Sequence, residues 1–152
     1  MLDIKNQIDL DCNVVITVRE SLGGAIVKRI RRRNLVVNTG RDLIAGLLKG
    51  SSVLYLTHLG IGTSSTAVAA TQTALTAEVY RAAYTQTTLG TGQLKLKYFL
   101  ASTTANGNTL REAGLFTNPA GGTMFARATH SAIAKTSSIS ITYEWTINIG
   151  AS

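Results

Sequence analysis

Residues 139–149 alternate without a break. Ile139, Ile141, Tyr143, Trp145, Ile147 and Ile149 are set against Ser140, Thr142, Glu144, Thr146 and Asn148. Successive side chains of a strand point to opposite faces, so this pattern describes a β-strand with one buried and one wetted side. Such a strand needs partners, and the rest of the chain offers them. Residues 93–101 repeat the pattern with Leu94, Leu96, Tyr98 and Leu100 against Lys95 and Lys97. Residues 12–19 are rich in β-branched side chains, and the turn Ser21-Leu22-Gly23-Gly24 leads into a second apolar stretch, 25–37. Together they predict a hairpin. Further strands are expected at 53–62, 78–87 and 123–129, with 110–116 ambiguous.

One helix is expected, over about residues 41–49, from the apolar face of Leu43, Ile44, Leu47 and Leu48. Asp42 in its first turn and Lys49 in its last would suit the helix dipole, and Gly50 would end it. Residues 63–76 carry few apolar anchors and read as a long loop. The expected fold is mainly β: a β-sandwich or partly closed barrel of about seven or eight strands with one short helix. Residues 1–11 read as an N-terminal arm that needs another surface, with Leu2, Ile4 and Ile8 as its apolar anchors, and 12–152 as a single β-rich domain.

With 152 residues, 45% of them hydrophobic, the chain is large enough for a real core. Charged residues make up only 15%, against roughly 25% in an average soluble domain. No apolar run approaches the ~18–20 residues of a membrane span, and the first residues lack the pattern of a secretory signal. Cys12 is the single cysteine. That excludes an internal disulfide and a cysteine-built zinc site, leaves an intermolecular bond formally open, and points to synthesis in a reducing cytoplasm.

Catalytic patterns are weak. His58 and His130 are far apart in sequence, and His130-Ser131 has no nucleophile elbow around it. Gly60-Ile61-Gly62 lacks the remainder of a phosphate loop and reads better as glycines that let the chain leave a sheet. No cofactor is implied. The net charge of +7 is concentrated in Lys28-Arg29-Ile30-Arg31-Arg32-Arg33. On a strand, Lys28, Ile30 and Arg32 would share one face and Arg29, Arg31 and Arg33 the other, as at an edge that meets a partner. An acidic protein surface is the first expectation for that partner, a plain solvated edge the second and nucleic acid the last, because no aromatic residue is interleaved in the run. Glu78, Arg81, Glu112 and Arg127 stand among apolar neighbours. Their expected role is a structural pair or network.

Three motifs give the chain a resemblance over about residues 54–149. Leu75-Thr76-Ala77-Glu78-Val79-Tyr80-Arg81, Arg111-Glu112-Ala113-Gly114-Leu115-Phe116, and Phe125-Ala126-Arg127 followed by Lys135 resemble, in order and spacing, the N-terminal β-domain of phage tail-collar and tail-fibre proteins. The resemblance implies a β-rich module that docks on a virion and oligomerises, without enzymatic activity or a cofactor. In that family a repetitive shaft follows the module, whereas here the matched region is preceded by a hairpin, a helix and a polar arm. The combination fits a capsid decoration (cement) protein, assembled as a small homo-oligomer such as a trimer on the major capsid protein. A tail, adaptor or baseplate protein that carries fibres is the alternative, and nucleic-acid binding through 28–33 a further one. Either virion reading implies synthesis in the bacterial cytoplasm and residence in the virion. Trp145 and Tyr143 are expected to anchor the core beside Phe116 and Phe125.

Overall fold

A computed structural model describes residues 8–151. Its strands are β1 (Ile8–Glu20), β2 (Ile26–Arg33), β3 (Leu35–Val36), β4 (His58–Gly62), β5 (Glu78–Ala83), β6 (Gln86–Gly90), β7 (Gln93–Leu100), β8 (Thr109–Phe116), β9 (Met124–Ala134) and β10 (Ile139–Ala151), with one helix, α1 (Asn38–Lys49). They form two five-stranded antiparallel sheets, ordered β2-β1-β10-β7-β6 and β3-β9-β8-β4-β5. The fold is a β-sandwich and not a closed barrel.

The alternating segment is the centre of the first sheet. Strand β10 pairs with β1 on one side and β7 on the other, which aligns Trp145 with Val14 and Leu96. Ile141, Tyr143, Trp145 and Ile147 face inward with Cys12, Val14, Ile16, Val18, Leu96, Tyr98 and Leu100. The second sheet meets them with Leu59, Ile61, Ala113, Leu115, Ala126 and Ala128. Phe125 joins this core, but Phe116 does not. It lies in a separate cluster with Val37, Leu75 and Met124, on the opposite face of its sheet from Leu115.

Ten strands appear where about seven or eight were expected, because two expected strands each change sheets midway. The stretch 25–37 leaves the first sheet at Asn34 and enters the second as β3, and 78–87 crosses back between Ala83 and Gln86. Strand β1 begins at Ile8 rather than at residue 12. The expected arm is therefore shorter by four residues, Asp9–Asp11 pairing with Asn148–Gly150. Leu2 and Ile4 lie outside the described residues. Of the expected strand 53–62, only His58–Gly62 pairs into a sheet.

Helix α1 starts three residues earlier than expected, so Asp42 falls beyond its first turn, which holds no acidic residue. Lys49 does lie in the last turn, and Gly50 ends the helix in the left-handed region at φ 73°. Gly40 brings the helix against β9, where a Cβ would collide with the Phe125 backbone.

Cys12 faces the core, and burial pushes its thiol up to about 12. At neutral pH it is an inert thiol, closed to an intermolecular bond while β1 is in place. The Tyr143 hydroxyl is buried without a hydrogen-bond partner. Removing an unmet polar group relieves a desolvation cost, so Tyr143→Phe is expected to leave stability unchanged or raise it by about 1 kcal/mol. The urea midpoint of the variant checks this.

Candidate functional site

The outer face of the second sheet carries charged residues from all three motifs. Register sets Arg81, Gly60, Gly114 and Arg127 in one row across β5, β4, β8 and β9, and Glu78, Gly62 and Glu112 in the next. Four charges separated by up to about fifty residues of sequence thereby share one surface. They act as two ion pairs, each holding a loop.

The first pair is fully buried. Arg127 Nε donates to Glu112 Oε2 at 2.9 Å, Nη2 lies 2.8 Å from the same oxygen, and neither side chain is exposed. The carboxylate also accepts the backbone N–H groups of Thr76 (3.1 Å) and Ala77 (2.7 Å). The guanidinium reaches further to the Thr66 carbonyl (2.9 Å) and Gln72 Oε1 (3.1 Å). Every one of these partners lies in the segment 63–77. That loop is therefore fastened to the sheet by a paired, hydrogen-bonded charge, the condition under which burial of charge is tolerated.

Gly62 and Gly114 leave the room for this arrangement. A Cβ on Gly62 would press on the Ala77 carbonyl and the Glu112 carboxylate, and one on Gly114 would sit 3.0 Å from Leu75. The obstacle at Gly62 is backbone and a fixed charge, so Gly62→Ala is expected to lift the loop. It should destabilise the fold by about 1–3 kcal/mol, read as a lower urea midpoint and faster protease cutting between residues 63 and 77.

The second pair holds the β8–β9 turn. Arg81 forms a fork on Glu78, Nε to Oε1 at 2.7 Å and Nη2 to Oε2 at 2.6 Å. Its Nη1 donates to the carbonyls of Asn118 (3.1 Å) and Gly121 (2.7 Å). The guanidinium stands 3.5 Å over the centroid of Phe116, a cation–π contact that explains why this Phe lies outside the main core. Lys135 does the same at the far end of β9. It is 1% exposed, and its Nζ donates to Ser102 O (3.1 Å), Asn106 Oδ1 (2.7 Å) and Thr136 O (3.0 Å). Sequence reasoning placed Lys135 in the third motif without a role. Asn106-Gly107 is a turn signal, but Asn106 lies 29 residues from Lys135 and nothing local in the chain links the two.

The basic run is β2, the edge strand of the first sheet. Seven of its eight residues are exposed, Ile30 being the buried one. The run divides as the strand period requires. Lys28, Ile30 and Arg32 pair with Val18, Ile16 and Val14, on the inward side, and Arg29, Arg31 and Arg33 with Thr17, Val15 and Asn13 on the outward side. Lys28 Nζ is bound to the Ala132 carbonyl at 3.2 Å, so it helps close the sandwich edge. Arg33 approaches Asp11 at 3.9 Å.

The histidines do not meet a catalytic partner. His58 Nδ1 lies 2.7 Å from Thr57 Oγ1. His130 is buried, its Nδ1 2.9 Å from the Ser131 carbonyl and its Nε2 unpartnered. Burial holds its pKa below 6.5, aided by Lys28 and Arg32. The unfolded chain binds this proton more readily than the folded one, so stability is full above about pH 6.5 and falls as the pH drops toward the folded pKa. His130→Gln is expected to flatten that acid limb in urea titrations between about pH 7 and 5.

Among the described residues, no group of three or more His, Cys, Asp or Glu side chains is placed to hold a metal ion. Among the described residues, no helix is long and apolar enough to cross a membrane. No family model, curated protein or solved structure matches the chain.

Proposed function

We propose that this protein is a non-enzymatic structural subunit of a tailed-phage virion, a decoration protein that braces neighbouring subunits of the capsid. The observation that carries the reading is the convergence of the three collar-like motifs on one sheet face, where Glu78, Arg81, Glu112 and Arg127 fasten two loops. A shell component benefits from loops held in a single shape, because contacts repeated by symmetry add only if each copy presents the same surface.

Two surfaces support a role in assembly. Between the end of α1 and Tyr55 the chain exposes Leu47, Leu48, Val53, Leu54 and Tyr55, an apolar stretch suited to contact between copies or with the major capsid protein. The edge strand β2, exposed at seven of its eight residues, is open to strand pairing with a neighbour. The segment preceding β1, with Leu2 and Ile4, would add strand pairing or apolar anchors.

Quantitative mass spectrometry of separated phage heads and tails tests the reading. Copy numbers comparable to the major capsid protein, in the head fraction, are the expected result. A few copies confined to tails would replace it with the tail, adaptor or baseplate role. Absence from both fractions would overturn the virion reading altogether.

A further inference from the structure

Strand register extends the basic run into a wider surface. On the outward face of the first sheet, Arg33 lies in one row with Asn13, Thr146 and Lys95, and Arg31 in the next with Val15, Glu144 and Lys97. Arg29 follows with Thr17, Thr142 and Phe99. Two cationic rails therefore run along β2 and β7, separated by three strand spacings, about 14 Å. Between them a shallow cavity of about 410 Å³ is floored by Val15, Thr17, Thr142 and Glu144, and Arg19 closes one side.

Three properties of this face point to its ligand. Among the described residues, Arg19, Arg29, Arg31, Lys95 and Lys97 have no carboxylate within 4 Å, and Glu144, opposite Lys97, is the one carboxylate of the cavity lining set against them. Charges on one rail recur about every 7 Å, inside a Debye length at physiological salt. Phe99, in line with Lys95 and Lys97, is 48% exposed between the buried Tyr98 and Leu100. An exposed aromatic ring beside unpaired cations on an open sheet is the combination that binds phosphates and stacks a base.

We propose that this face binds single-stranded nucleic acid, independently of the virion reading. The sugar–phosphate backbone lies along the arginine rail. Glu144, the single carboxylate of the floor, keeps phosphates off the centre, and the bases cross the floor toward Phe99. This aromatic is absent from the basic run itself and reaches it only through the order β2-β1-β10-β7. A second copy is a poor occupant, because it would set cationic face against cationic face.

The test is fluorescence anisotropy of the full chain with a labelled oligothymidylate of about 16 nucleotides, across a salt series. Binding is expected with a log–log salt slope near −3, about 0.7 for each of four or so phosphates. Arg29→Ala/Arg31→Ala/Arg33→Ala should weaken it at least tenfold and reduce the slope by about 2. Phe99→Ala should weaken binding about tenfold with the slope unchanged. Lys28→Ala/Arg32→Ala, on the other face, should bind as the parent does. Unchanged urea midpoints verify folding of each variant.

Four results would overturn the proposal. They are no binding near physiological salt, preference for duplex DNA of the same length, equal loss in the Lys28/Arg32 variant, or equally tight binding of polyglutamate with Phe99→Ala silent. The last would make the face a docking surface for acidic protein.

Discussion

Arg127→Met is expected to destabilise the protein by about 3–5 kcal/mol and to lower its melting temperature on the order of 10 °C. The substitution keeps the volume of the side chain and removes its charge. Glu112 then remains in a site with no exposure. The N–H groups of Thr76 and Ala77 still point at it, but its counter-charge is gone. The Thr66 carbonyl loses its donor at the same time, and the Gln72 amide oxygen keeps only the Ala69 N–H. Replacing both members, as in Glu112→Leu/Arg127→Met, should recover a large part of the loss, because an apolar pair carries no unpaired charge. It should not restore the loop, whose backbone N–H groups then lack their acceptor. Urea unfolding combined with limited proteolysis separates the two effects. The single variant is expected to be unstable and readily cut between residues 63 and 77, and the double variant more stable yet still readily cut. A double variant as resistant as the parent would show that Glu112 does not fasten this loop.

The contrast between β10 and this pair explains how much of the molecule was legible in its sequence. Strand β10 alternates because one face is buried along its length, a local period of two that leaves a local trace. The sandwich class follows from several such traces. The sheet switches at Asn34 and between Ala83 and Gln86 leave none, since only one or two residues separate the strands that change partners. The four charges were conspicuous as charges among apolar residues. Their partners were not, because Thr66, Gln72 and Thr76 lie 36 to 61 residues from the side chains they meet. Likewise the arginines of β2 were visible as a run, but Lys95, Lys97 and Phe99 join them only through the register of three strand pairs. Phe116 was expected in the main core on hydrophobicity alone. Its ring instead supports Arg81, because the alternation that turns Ala113 and Leu115 of β8 inward turns Phe116 to the face of Glu112 and Gly114.

Trp145→Ala should cost about 3–5 kcal/mol, the range for truncating a fully buried aromatic. Trp145 is 0% exposed and lies at the middle of the central strand, flanked by Val14 and Leu96. Its neighbours belong to strands paired on both sides, so the sheet has little freedom to close the void. One term acts in the opposite direction. The indole Nε1 is buried without an acceptor, and its removal relieves an unmet hydrogen bond. Trp145→Phe relieves the same group while keeping most of the ring, and is expected to cost only about 1–2 kcal/mol. Trp145 is the only tryptophan, so far-UV circular dichroism must replace fluorescence in following these variants through urea. Equal midpoint losses in the two variants would show that the indole nitrogen is satisfied in solution. Trp145 and Arg127 share no partner and belong to different sheets, so their costs should add within about 0.5 kcal/mol. The sum, about 6–10 kcal/mol, is comparable to the whole stability of an ordinary domain. The double variant is therefore expected to be largely unfolded at 25 °C while each single variant remains folded.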